Sequence, residues 1–295
     1  MNYDTFFYND KWLSDFNMSL YDAENEQAFV GKDIISLELN SVNSKANVFG
    51  TKYNGTLKIE ALICKDPDFY FTEEEREFTS YDIRNIKSWL MSPKTPMEMI
   101  PYSIDYETDN ICYFGLFTDI QPFMVSGKCF GLYITFTCDT PYGYSGLYTE
   151  TYLMNGLTTI DGTFYNTSDE HNEYLYPIIK IYPSSTSSES DTLTIKNISD
   201  GEKEMTVNLI NGEYFIIDTE NMLIYDANNN QIPLYSIGWN TNEIFDYNNV
   251  STGTYSLYWI RFMYGENKLT FLSSSAGAVD KVEISARFVR KSEGF

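Results

Sequence analysis

The sequence predicts a mainly β protein: an N-terminal β-sandwich with one helix, followed by a second β-sandwich of jelly-roll type. Three observations predict it. Aromatic residues make up 17% of the 295 positions, led by 25 Tyr and 20 Phe, which suit pleated, half-buried surfaces. Residues 130–138 alternate with a period of two: Phe130, Leu132, Ile134, Phe136 and Cys138 share one face, and Gly131, Tyr133, Thr135 and Thr137 the other. From Pro177 onwards about eight short strand candidates follow one another with turn residues between them.

In chain order, residues 3–22 read as an opening hairpin that turns at Asn9-Asp10 and runs back from Trp12 to Leu20. Strands follow at 34–39 and 57–64. In the latter, Leu57, Ile59, Ala61 and Ile63 alternate with Lys58 and Glu60, so one face is buried. Asn54-Gly55 before it is a tight-turn signal. Thr72-x-x-Glu75 fits a capping box. Ser80–Leu90 then places Ile83, Ile86 and Leu90 on one stripe of a helix that Pro93 stops. Trp89 reads as the anchor that ties this helix to a sheet. Strand-like runs at 111–117 and 130–136 complete a first domain spanning 1–150.

Residues 151–176 are rich in Gly, Thr, Asn and Asp and read as a connection. A second domain, 177–295, holds strand candidates at 178–182, 192–198, 204–210, 213–218, 222–226, 255–263, 267–272 and 280–289. Asn211-Gly212 and Gly265-Glu266-Asn267 are hairpin signals. The polar loop 184–190 reads as an exposed, mobile tip, and Asp226-Ala-Asn-Asn-Asn230 as a turn.

Charge and chemistry narrow the function. The net charge of −22 divides as about −12 for 1–150 and −10 for 151–295. Without Lys/Arg clusters there is nothing to grip phosphates or an anionic membrane. Four cysteines at 64, 112, 129 and 138 fit no zinc spacing and read as buried free thiols. No secretory signal and no apolar run of about 20 residues is present, so nothing spans a membrane. The single histidine, His171, lies in the Gly/Asn/Thr-rich stretch, which argues against a Ser-His-Asp triad or a His-based metal site. No phosphate loop appears. The chain reads as a non-enzyme with no cofactor, no metal and no catalytic residue. The sequons at Asn54 and Asn197 read as chance matches.

A helix ending Trp89-Leu90-x-x-Pro93, two strands, and Phe136-Thr-Cys-Asp-Thr-Pro-Tyr-Gly-Tyr144 stand in this order. So do the opening Phe7-Tyr-Asn-Asp-Lys-Trp-Leu-Ser-Asp-Phe-Asn17 and, towards the end, Gly265–Phe271 and Val282–Phe288. This series resembles the distal tail proteins of long-tailed phages, the Dit family. The resemblance implies a first β-sandwich domain that forms a homo-hexameric ring and a galectin-like second sandwich projecting outward. It implies a virion protein of the tail tip, made in the host cytoplasm. Its role would be a hub joining the tail tube protein and tape-measure end to the tail-associated hub or lysin and receptor-binding proteins. DNA would pass through the ring without specific binding. The alternative is a carbohydrate-binding adhesin that attaches to host cell-wall glycan. Sugars stack on exposed rings, and Trp239 and Tyr235 are the candidates, with Tyr258 and Trp259 offering further rings.

Overall fold

A computed structural model describes residues 4–22, 30, 32–37, 47–102, 111–188, 191–209, 214–233 and 258–291. The chain divides into two compact units. The first is Met1–Gly146 with Val289–Phe295, and the second is Leu147–Phe288.

The first unit opens with β1 (Thr5–Tyr8) and β2 (Lys11–Trp12). Asn9 and Asp10 between them both have positive φ, 47° and 61°, the twist a two-residue hairpin needs. The returning strand is shorter than expected. It stops at Trp12, and a 3-10 turn at Leu13–Phe16 redirects the chain into β3 (Met18–Asp22). Next come β4 (Lys32–Leu37), β5 (Asn47–Tyr53) and β6 (Lys58–Lys65). Among the described residues β4 and β5 pair only with each other, so Asn54-Gly55 is a bend between strands that do not pair, and not a hairpin turn. Then follow α1 (Glu73–Arg76), α2 (Ser80–Leu90), β7 (Met97–Tyr102), β8 (Tyr113–Val125), β9 (Lys128–Cys138) and β10 (Gly143–Tyr144).

One sheet runs in the order β2-β1-β7-β8-β9-β6-β3. It curls until its far edge meets its beginning, where the Leu20 N–H donates to the Asp4 carbonyl at 3.0 Å. The two halves thus face each other across one core of Phe6, Tyr8, Ile63, Leu132 and Phe136, sandwich-fashion. The alternation read at 57–64 is the alternation observed, with Leu57, Ile59, Ala61 and Ile63 buried. In 130–138 it holds from Leu132 through Ile134, Phe136 and Cys138, but Phe130 is only half-buried and Cys129 enters the core instead, where a bulge shifts the register against β8.

The second unit consists of β11 (Tyr148–Leu153), β12 (Thr159–Asn166), β13 (Ile178–Pro183), β14 (Thr192–Asn197), β15 (Lys203–Asn208), β16 (Phe215–Asp218), β17 (Leu223–Tyr225), β18 (Gly265–Ser273) and β19 (Val279–Ala286). They form a five-stranded sheet, β11-β19-β13-β16-β17, and a four-stranded sheet, β12-β18-β14-β15. Phe164, Ile179, Ile195, Phe271 and Ile284 belong to the core between them. The chain then returns to the first unit as β20 (Val289–Arg290), which pairs with β10.

Several expectations need correction. The expected connection 151–176 carries the second half of β11 and all of β12. Their outward residues Thr159, Asp161 and Tyr165 are polar or amphipathic, which hid the inward Phe164. The expected strand at 255–263 makes no ladder where it is described. Residues 258–261 are irregular, and Phe262 makes a single bridge to Leu175. Three buried asparagines hold that segment instead. Asn197 Nδ2 donates to the Arg261 carbonyl at 2.8 Å, Asn267 Nδ2 to the Met263 carbonyl at 2.8 Å, and Asn166 Nδ2 to the Phe262 carbonyl at 3.5 Å. Gly265 begins β18 and does not turn a hairpin. The loop read as mobile is tied down at its end: Asp191 accepts from the Ser188 N–H at 2.8 Å and from the Ser275 hydroxyl at 2.5 Å. Asn211-Gly212 lies outside the described residues.

Candidate functional site

The sequence landmarks of the first unit meet around α2. Thr79 caps the helix: its hydroxyl accepts from the Asp82 N–H at 3.2 Å while the Asp82 carboxylate accepts from the Thr79 N–H at 2.9 Å. Ile86, Trp89 and Leu90 are buried. The Trp89 indole lies parallel to Phe6 at 5.6 Å and stacks on Phe16 at 4.9 Å. Its Nε1–H donates to the Tyr8 carbonyl at 2.8 Å, and Asn9 Nδ2 donates to the Trp89 carbonyl at 3.0 Å. The opening hairpin and the helix are therefore locked together from both sides.

A buried lysine fixes the segment before the helix. Lys65 ends β6 on the core-facing phase and is 8% exposed. Its ammonium donates to the carbonyls of Glu75 (3.1 Å) and Glu77 (2.9 Å) and pairs with Asp82 at 2.9 Å. It also lies 4.9 Å from the Tyr70 ring centroid. Burial pushes the Asp82 carboxyl up, but the Thr79 N–H and the Lys65 ammonium outweigh it and hold it below the usual carboxylate range. Sequence reading missed this residue. The signal was present: Lys65 continues the 57, 59, 61, 63 series of buried positions.

At the end of the first unit, the motif Phe136–Tyr144 splits in two. Phe136 and Cys138 enter the core, while Tyr142 and Tyr144 pack edge-to-face 5.5 Å apart, with Tyr53 and Phe114 at either side. Gly143 between them has no room for a side chain, since a Cβ would sit 2.6 Å from Ile111 Cγ2.

The candidate glycan residues Trp239 and Tyr235 lie outside the described residues. The two further rings are engaged. Trp259 is 8% exposed and joins the core. Tyr258 donates to the Asp200 carboxylate, which also accepts from Arg261 Nε at 2.9 Å. Arg261 in turn lies 3.7 Å over the Tyr174 ring. His171 stacks on Tyr264 at 3.7 Å. None of the four cysteines is joined in a disulfide: Cys112, Cys129 and Cys138 are buried and Cys64 is half-buried. Burial pushes the Cys64 thiol up to about 11 and the Cys138 thiol to about 12. Among the described residues no group of three or more His, Cys, Asp or Glu could hold a metal ion. No helix among them is long and apolar enough to cross a membrane.

The sequon at Asn197 is structural. Asn197 is fully buried, and its Oδ1 accepts from the Ser199 N–H at 3.0 Å.

Residues 1–140 match the family described as phage tail protein N-terminal domain. No curated protein matches the chain. Among solved structures, the chain is similar to the Dit protein of phage SPP1, described as a paradigm of the hub adsorption apparatus in phages infecting Gram-positive hosts. The identity is 13% and the TM-score 0.61, covering 96% of this chain and 98% of that one. It is also similar to a chain of the phage P2 baseplate in its activated conformation with Ca, at 10% identity and TM-score 0.52, covering 99% of each chain. Residues 1–140 thus resemble a phage tail protein N-terminal domain in sequence, and the chain resembles the SPP1 Dit protein in fold along nearly its whole length.

Proposed function

We propose that this phage tail protein is the structural hub of a virion tail tip. Six copies form a ring through the first unit. The ring joins the tail tube protein and tape-measure end on one side to the tail-associated hub or lysin and receptor-binding proteins on the other. The role is structural and not catalytic. One observation carries the reading: a phage-tail domain match over residues 1–140 coincides with a Dit-like fold that continues through the second unit. The locked joint of Trp89, Phe6 and Tyr8 suits such a part, because a ring that transmits load needs subunits that do not flex internally. A ring with heterologous contacts closes on itself and leaves no open edge. The net charge of −22 suits a channel wall that DNA slides past, since like charge repels over about 8 Å at physiological salt.

Light scattering on the purified chain, followed by negative-stain imaging, tests this. A mass near six protomers with annular particles supports the hub. A monomer at every concentration would count against self-assembly. Binding of host cell-wall glycan by the second unit is a separate reading that rests on Trp239 and Tyr235. A glycan array probed with wild type and Trp239→Ala decides it: no binding by wild type removes it.

A further inference from the structure

The first unit carries two surfaces of opposite character at the two ends of α2. Residues 66–82 hold seven carboxylates (Asp66, Asp68, Glu73, Glu74, Glu75, Glu77 and Asp82) against one cation, the half-buried Arg76, whose Nε donates to the Tyr70 carbonyl at 2.8 Å. Lys128 pairs with Glu77 at 3.2 Å and Lys65 with Asp82, which leaves Asp68, Glu73, Glu74 and Glu75 as the exposed acids outside any ion pair among the described residues. Three rings stand out of this strip: Phe69 at 59% exposed, Phe71 at 77% and Tyr81 at 72%. The strip is not a loose loop. Lys65 grips its Glu75 and Glu77 carbonyls, the Asp66 N–H donates to the Asn17 carbonyl at 3.0 Å, and Ser19 Oγ donates to Asp66 at 2.9 Å. The rings are therefore held outward by a fixed backbone. Beyond it, residues 84–94 contain Arg84, Lys87 and Lys94, all exposed, and no carboxylate. Met91, 47% exposed, lies among them. None of the ion pairs formed among the described residues uses these three cations.

Acids at a helix start and cations at its end also suit the helix dipole. That accounts for some of the charge, but not for the three exposed rings on the same short segment, which give it apolar area that suits a partner. The occupant follows from complementarity. An acidic aromatic strip fits a basic apolar one, and a chain of net charge −22 carries that basic surface itself, at the opposite end of the same helix. Two different patches at opposite ends of one element are what a head-to-tail contact requires.

We propose that the strip Asp66–Tyr81 of one copy seats on the Lys87–Met91–Lys94 end of α2 in a second copy. This rests on the ring reading above and assigns its contact. The rings of Phe69, Phe71 and Tyr81 supply the buried apolar area, and the charges fix the direction of docking.

Two variants test it: Asp68→Lys/Glu73→Lys/Glu74→Lys on the strip, and Lys87→Glu/Lys94→Glu on the basic end. All five positions are exposed, and far-UV circular dichroism checks that both variants fold. Each alone should need at least about tenfold more protein to assemble than wild type, by light scattering. Mixed in equal amounts, each basic strip meets an acidic helix end and each acidic strip a basic one, so assembly should return. Phe71→Ser, at a ring too exposed to support the fold, should weaken assembly without a charge change. If wild type forms rings and the variants match it, this contact is wrong and the ring reading stands. Loss of assembly that mixing does not restore also overturns it. A wild-type chain that stays monomeric overturns both.

Discussion

The indole N–H of Trp89 reaches the carbonyl of Tyr8 at 2.8 Å, joining a helix to a strand 81 positions earlier in the chain. The same indole is sandwiched by Phe6 and Phe16. Packing and hydrogen bond can be separated. Trp89→Ala should cost about 3–5 kcal/mol in urea unfolding. Trp89→Phe keeps a ring but leaves the buried carbonyl without its donor, and should cost about 1–3 kcal/mol. Equal, negligible shifts for both would mean the helix is not anchored here.

The Lys65–Asp82 pair predicts an acid-sensitive joint. The Asp82 carboxyl is held below its ordinary value in the folded protein. Its contribution is therefore fully present above the unfolded pKa, about 3.9. It is lost as pH falls through the lower folded value. The stability gap between wild type and Asp82→Asn should be constant from pH 7 to about 5 and close below about 3. A gap that widened on acidification would reverse the assignment. Lys65→Met, which keeps the apolar stem but takes a donor from two carbonyls and the counter-charge from a carboxylate that keeps only its Thr79 donors, should cost about 3 kcal/mol at pH 7, limited by the partial exposure of Asp82.

Thiol chemistry reads out burial directly. With the Cys64 thiol pushed up to about 11, only about a thousandth of it is thiolate at pH 8. Iodoacetamide at pH 8 should label the native chain hardly at all over minutes, and all four cysteines after denaturation. Rapid modification of one thiol in the native chain would show that its site opens.

Asn197 pins an irregular segment in the second unit and is fully buried. Asn197→Ala should cost about 2–4 kcal/mol by chemical denaturation, because the Arg261 carbonyl and the Ser199 N–H lose their partner. Asn197→Asp should be worse at neutral pH, where a buried anion would face that carbonyl, and should recover towards the alanine variant in acid.

Much of this architecture is legible in the chain, for local reasons. The helix bounds Ser80–Leu90 follow from a three-and-four spacing and a downstream proline. The strand at 58–65 follows from clean alternation, and that at 128–138 from an alternation that holds from Leu132 and slips at Phe130. What stayed hidden depends on distant residues. β8 runs on to Val125, through Asp119 and Pro122, because β9 pairs with it to that end, while β7 pairs with only its first residues. Pro122 therefore sits where one side of the strand has no ladder partner and its missing N–H costs little. Gly162 looks like a linker residue, yet it lies in β12, where a Cβ would meet the Tyr152 ring at 2.3 Å. The segment after Tyr258 carries a strand-like pattern, but its polar groups are claimed by Asn197, Asn267 and Asn166 before a neighbouring strand can pair with them. The buried Lys65 was visible only as a charge on an otherwise apolar phase. Its partners, at 75, 77 and 82, could not be read from spacing.

The chain leaves the first unit after β10 and re-enters it as β20, and these two strands pair, with Tyr144 opposite Val289. Ladder partners lie about 5 Å apart. In architectural terms residues 147–288 are an insert between two neighbouring strands whose separation does not record the length of what intervenes. Any domain whose ends lie close together would fit the same gap without disturbing the β10–β20 pairing. A chain in which a short Gly-Asn turn replaces 147–288 should keep the first unit's cooperative unfolding. Collapse of that transition would show that the host needs its guest.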